Sequence, residues 1–150
     1  MNALRFLLLV VVLNVIRYLV GGLVEAPLIM PYLFGAMQES TAYFNTDFAT
    51  LDWMTSYFYN FMMWLTVVWL FYLLHPVLSG HMIVKSLKVF GMGWLFFASV
   101  SAIYMNHYSH PKAFYFWNIL DAVIVFTIVA IANGLLYPLI MGKGENAAAA

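Results

Sequence analysis

The chain is 150 residues long, 65% of them hydrophobic and only 8% charged, with six basic and six acidic residues and no cysteine. A soluble domain carries about 25% charged residues, so too few polar side chains remain here to cover a surface in water, and the apolar ones must face lipid or each other. The balanced charge has no basic run to read nucleic acid, and the missing thiols exclude disulfides, thiol redox chemistry and Cys-ligated clusters.

The first apolar run covers residues 4–24, close to the ~20 residues that cross a bilayer. Its single early Arg resembles the start of a signal peptide. No small-x-small cleavage site follows, and Arg17 interrupts the run, so a retained first helix is expected. Beyond it come Glu25, Pro27 and Pro31, where regular helix is disfavoured. Residues 28–37 stay apolar but are too short to span, so they are expected to lie in the membrane interface or to re-enter. Residues 38–52 are the most polar stretch and read as the end of a longer connecting loop, 25–52.

The second span is expected over residues 53–74, with Thr50 or Asp52 capping its start. His75-Pro76 and Ser79-Gly80 mark a short turn. A third span follows over 81–104, where Lys85 and Lys88 can snorkel from the first turns. Residues 107–112 form the next turn, with Pro111 at a helix start, and the fourth span covers 114–136, with Pro138 just beyond. Residues 142–150 read as a polar tail. The expected fold is all-α: a single polytopic membrane domain, 1–141, folded as a four-transmembrane-helix up-down-up-down bundle, because short connections favour antiparallel neighbours. Ala130-x-x-x-Gly134 and Gly91-x-Gly93 suit close helix approach.

Orientation follows from the basic residues. Arg5, Lys85, Lys88 and Lys143 share one side in this topology, and the long loop carries Glu39, Asp47 and Asp52 without Lys or Arg. The positive-inside rule then puts both termini in the cytoplasm. A bacterial inner membrane is the expected location.

Ionisable groups within a span are costly and mark function or pairing. Arg17 lies about seven residues from the outer end of its span and Asp121 about seven from the outer start of another, each roughly 10 Å deep. Asn60 and Ser99 have similar offsets. Asn14, Arg17, Tyr18, Gly21 and Glu25 fall within one helical stripe, and Asn118 sits one turn from Asp121 on the same side. A buried polar cluster of Arg17, Asn60, Asp121, Asn14, Asn118 and Ser99 is therefore expected, with Glu25, His107 and His110 at its outer mouth. Within it, Arg17 and Asp121 are expected to pair directly or through one water, with Asn60 bridging them. Such a pair fixes helix register without doing chemistry, or it lines a pocket for a solute, a lipid head group or a proton.

His107-x-x-His110 has the spacing to begin a metal site, with Glu25, Glu39, Asp47 or Asp52 as further ligands, but two loop His are a weak signal, so metal is an unfavoured reading and no cofactor is expected. There is no phosphate loop, dinucleotide fingerprint, H-E-x-x-H or G-x-S-x-G. The leading reading is a non-enzymatic subunit, or a binding or transport component. Its expected partners are the lipid bilayer, other membrane proteins or further copies of itself, and not nucleic acid. The alternatives are a membrane enzyme on a lipid or other apolar substrate, with Asp121 as acid or base and Arg17 as anion binder, and a small solute or proton transporter.

Overall fold

The computed structural model describes residues 2–44 and 47–142, so residues 143–150 of the expected tail, Lys143 among them, lie outside the described residues. Described secondary structure is helical throughout. Helix α1 (Ala3–Leu28), α2 (Met30–Gln38), α3 (Thr50–Leu74), α4 (Met82–His107) and α5 (Lys112–Ile140) follow one another, and four of them, all but α2, are long and apolar enough to cross a membrane.

Local chemistry explains the boundaries. The Asn2 side chain accepts from the N–H groups of Leu4 and Arg5, at 3.1 and 3.3 Å, and so satisfies donors that the first turn of α1 leaves open. At the start of α3 the Asp52 carboxylate accepts from the Ala49 N–H at 2.9 Å. Basic side chains close the opposite ends: Arg5 donates to the Met141 carbonyl at 3.3 Å and Lys85 to the His75 carbonyl at 2.8 Å. Carbonyls at a helix C-terminus carry partial negative charge, so a cation there satisfies both the orphan acceptor and the dipole.

The prolines behave differently from the expectation. Helix α1 runs through Pro27 to Leu28, and the break falls at Ile29, whose backbone departs to φ −121°. Pro31 then sits in the first turn of α2, where its missing N–H has no helical acceptor to lose. Residues Met30–Gln38 thus form a regular helix, roughly 13 Å long and too short to cross a bilayer. Tyr32 of α2 stacks on Trp117 of α5 with centroids 4.4 Å apart. Pro138 also lies inside its helix, which ends two residues later at Ile140. In both long helices the proline stands near the C-terminal end: its missing N–H leaves a carbonyl four residues earlier without its helical partner, and the helix ends within two residues.

All four long helices contribute to the core. Leu9, Val10 and Leu13 of α1, Trp64, Val68 and Phe71 of α3, Phe90 of α4 and Val129 of α5 are all fully buried. Trp64 packs against Phe90 and Phe126 with centroids 6.1 and 4.9 Å away. The most extensive helix contact is between α4 and α5; α3 and α4 touch far less. Gly134 explains the first of these. A Cβ there would fall 2.5 Å from the Ile83 Cα and 2.8 Å from its nitrogen, so only glycine lets the two backbones approach this closely.

Gly134→Ala should therefore force α4 off α5 and destabilise the purified protein by about 1–3 kcal/mol. Gly91→Ala, whose added methyl meets nothing within 4 Å, should be neutral or slightly stabilising. Thermal unfolding in mild detergent, followed by tryptophan fluorescence, checks both; equal melting temperatures for the two variants would refute the close-approach account.

Candidate functional site

A π-helical turn, Arg17–Gly21, interrupts α1 between the α-helical stretches Ala3–Ile16 and Gly22–Leu28. Arg17 and Glu25 are eight residues apart. In an uninterrupted α-helix that is about 2.2 turns, which leaves the two side chains roughly 80° apart. A π turn absorbs about one extra residue, so eight residues act like seven, nearly two whole turns. The two side chains then share a face. The Arg17 Nη2 reaches the Glu25 Oε1 at 3.5 Å, with both side chains largely withdrawn from the surface. Gly21, one turn before Glu25, makes the space: a Cβ there would lie 3.1 Å from the Glu25 Oε1. The guanidinium also lies 4.8 Å from the centroid of the Tyr18 ring, a cation–π contact.

This pair borders a cleft of about 180 Å³ between α1, α3 and α5, lined on its polar side by Arg17, Asn60, Asn118 and Asp121. Four residues expected in one cluster are thus brought together. Their pairing differs from the expectation. The ion pair of Arg17 is with Glu25 on its own helix, while Asp121 lies within electrostatic range of Arg17. The π turn decides this, because it swings Glu25 inward from the outer mouth to a position where it is almost fully buried. Asn60 does not bridge Arg17 and Asp121; its Oδ1 accepts from the Trp64 Nε1 at 2.8 Å, which leaves its amide N–H groups for the cleft. Asp121 keeps a buried Oδ1 with no hydrogen-bond partner among the described residues.

The remaining expected members lie elsewhere. Asn14 is buried but donates to the Val10 carbonyl of its own helix at 2.9 Å. Ser99 is exposed and donates to the Leu95 carbonyl at 2.8 Å. His107 is exposed, with its Nδ1 2.8 Å from the Ile103 carbonyl. His110 is half-buried; its Nδ1 is 2.7 Å from the Tyr115 hydroxyl, and its ring lies among those of Tyr43, Phe44 and Tyr108. The two histidines thus face different surroundings. Among the described residues no three His, Cys, Asp or Glu side chains gather as a metal-ligand set.

A second, larger space adjoins the cleft. An apolar cavity of about 770 Å³, open at the surface beside the exposed Met62, Leu70 and Met92, lies between α3 and α4. Its walls include Met62, Thr66, Leu70, Met92 and Val100. Met63, Phe97 and Phe126 line both this cavity and the polar cleft, so the two are adjacent compartments behind common side chains. Nothing in the sequence pattern announced the large cavity, because its residues are the same Met, Val and Phe that fill cores and face lipid. A buried polar pair was also missed: the Asn133 Nδ2 donates to the Ser86 Oγ at 3.0 Å, and both residues are fully buried. An Asn within the apolar run of the last span, twelve residues after Asp121, was the available signal. Comparison of the chain with protein-family models, curated proteins and solved structures found no match in any of the three.

Glu25→Gln should destabilise the protein by leaving Arg17 without its counter-charge, and Arg17→Gln in the same chain should recover part of the loss, with a coupling of about 0.5–3 kcal/mol. The cycle between Arg17→Gln and Asp121→Asn should give a smaller coupling. Unfolding free energies of the single and double variants in detergent decide the order; a larger coupling to Asp121 would reassign the pair.

Proposed function

We propose that the chain is a small integral membrane protein, folded as an up-down-up-down bundle, that binds a lipid-like molecule from the bilayer as a non-enzymatic binding component or subunit. The observation that carries this reading is the apposition of the two compartments. An apolar cavity of about 770 Å³ shares three wall residues with a polar cleft of about 180 Å³. A mostly apolar space with a few convergent polar groups is the usual form of a small-molecule site, and here the apolar part is large enough for hydrocarbon chains.

The interior on the far side of the cleft favours binding over transport. Between Asp121 and the next buried polar group on α5, Asn133, lie roughly 18 Å of helix. Val125, Phe126 and Val129 fill that stretch and are nearly or completely buried. A solute or proton path would have to cross this apolar layer. The enzyme reading draws on Asp121, a carboxyl group bordering a space that fits apolar substrates, but Arg17, its anion binder, is already engaged by Glu25.

Orientation belongs to the same reading. Arg5 at the Met141 carbonyl and Lys85 at the His75 carbonyl place cations at the end of the bundle where α1 starts and α3 and α5 finish. By the positive-inside rule this end faces the cytoplasm. The chain has no cysteine, so single Cys substitutions report cleanly. In intact cells an impermeant thiol reagent should label Glu39→Cys and spare Lys143→Cys; the reverse pattern would overturn the orientation.

For binding, the purified protein should retain a pyrene-labelled diacylglycerol, a probe with hydrocarbon chains and no charge, through gel filtration in mild detergent. Val100→Trp, which fills the apolar cavity, should reduce retention about tenfold, the effect of roughly 1.4 kcal/mol. Equal retention by wild type and variant would remove the cavity as the site.

A further inference from the structure

We infer that the molecule bound across the two compartments is a lipid whose head carries a primary ammonium, with Asp121 as the group that receives it. This rests on the binding reading above and adds the chemistry of the head group to it.

The charges in the cleft lead to that choice. With all three ionisable groups charged, one cation, Arg17, faces two carboxylates, Glu25 and Asp121. Arg17 has its nearest counter-charge in Glu25, whose carboxylate lies 3.5 Å from the Arg17 Nη2, and its guanidinium lies over the Tyr18 ring. Asp121 is the acid of the cleft without an ion pair among the described residues. Its Oδ1, like the Glu25 Oε1 and the Arg17 Nε, is buried without a hydrogen-bond partner among those residues, and the Asp121 side chain lines the cleft. A buried charge without a partner is costly, so an occupant that supplies a positive charge and N–H donors at this wall is favoured over one that brings only negative charge. Charge-assisted hydrogen bonds from an ammonium to a carboxylate are about twice as strong as neutral ones.

The neighbours of Asp121 suit the rest of such a head. Asn60 has its oxygen occupied by Trp64, so the cleft meets its N–H donors, and Asn118 stands one turn from Asp121 on the same wall. Both can serve the oxygen atoms of a phosphodiester or ester beside the ammonium. Hydrocarbon chains joined to this head then have somewhere to lie, because the large apolar cavity begins at Met63, Phe97 and Phe126, which also line the cleft. Its sulfur and aromatic side chains adapt to flexible chains. A long-chain amine and an aminophospholipid share this chemistry and differ only in the phosphodiester.

The test competes head groups against a common tail probe. The full-length protein in mild detergent is loaded with the pyrene-labelled diacylglycerol, then challenged with dioleoyl lipids bearing ethanolamine, choline or glycerol heads, or with oleylamine. The ethanolamine lipid should displace the probe at about tenfold lower concentration than the glycerol lipid. Choline, which keeps the charge but has no N–H to donate, should fall between them. In Asp121→Asn the ethanolamine and glycerol lipids should become equivalent as displacers. Displacement by oleylamine as strong as by the ethanolamine lipid assigns the recognition to the ammonium alone; weaker displacement adds the phosphodiester to it. Equal displacement by ethanolamine and glycerol lipids in the wild-type protein would overturn the head-group assignment and leave the binding reading standing. Failure to retain the probe at all would instead remove the binding reading. Because the head-group series is measured on the unaltered protein, a misfolded Asp121→Asn does not rescue the inference from a negative result.

Discussion

A guanidinium largely withdrawn from the surface among apolar helices has to be neutralised by the protein itself. Here the neutralising group comes from the same helix, two turns on, and it reaches Arg17 because the Arg17–Gly21 turn is π-helical. Without the extra residue in that turn, Glu25 would sit roughly 80° around the helix from Arg17. Gly21 leaves room beside the Glu25 carboxylate, which a Cβ there would meet at 3.1 Å. One local deviation in the backbone therefore fixes which of two acids is spent on structure and which remains beside the cleft.

The second determinant is unequal helix packing. Gly134 lets α5 close on the backbone of Ile83, and the α4–α5 pair becomes the tight edge of the bundle. Helix α3 buries Trp64, Val68 and Phe71 in the core and touches α4 and α1 to similar, modest extents, far less than α4 touches α5. The large apolar cavity lies along this looser α3–α4 seam. In water such a space would collapse or be filled; next to hydrocarbon chains it can be occupied by them at little cost. Cavity and cleft meet at Met63, Phe97 and Phe126, side chains that have to pack around whatever lies on either side.

Much of this architecture was legible from composition and period alone. Long apolar runs separated by short turns with Pro and Gly gave four spans, and each observed helix covers its expected range to within a few residues. The helices extend further at their ends than proline suggested, since each continues one or two residues past Pro27 or Pro138. Arg17, Asn60, Asn118 and Asp121, expected at one level, line one cleft. Depth was not enough for Ser99, which shares the level but faces outward and bonds to its own helix.

What the sequence by itself determined is therefore the one-dimensional part: which segments are apolar enough to span, where they turn, and at what level each polar side chain sits. These follow from hydropathy and a fixed rise per residue, and no partner is needed to read them. Only the tertiary structure decided the partners of those side chains. The π turn that gives Glu25 to Arg17 and the bond that turns the Asn60 oxygen toward Trp64 are made within single helices, while the gap between α3 and α4 depends on rotations of the helices about their own axes. Such rotations are set by steric fit between helices, as at Gly134 against Ile83, and a sequence of interchangeable Leu, Val, Met and Phe residues specifies that fit only once all the helices are in place.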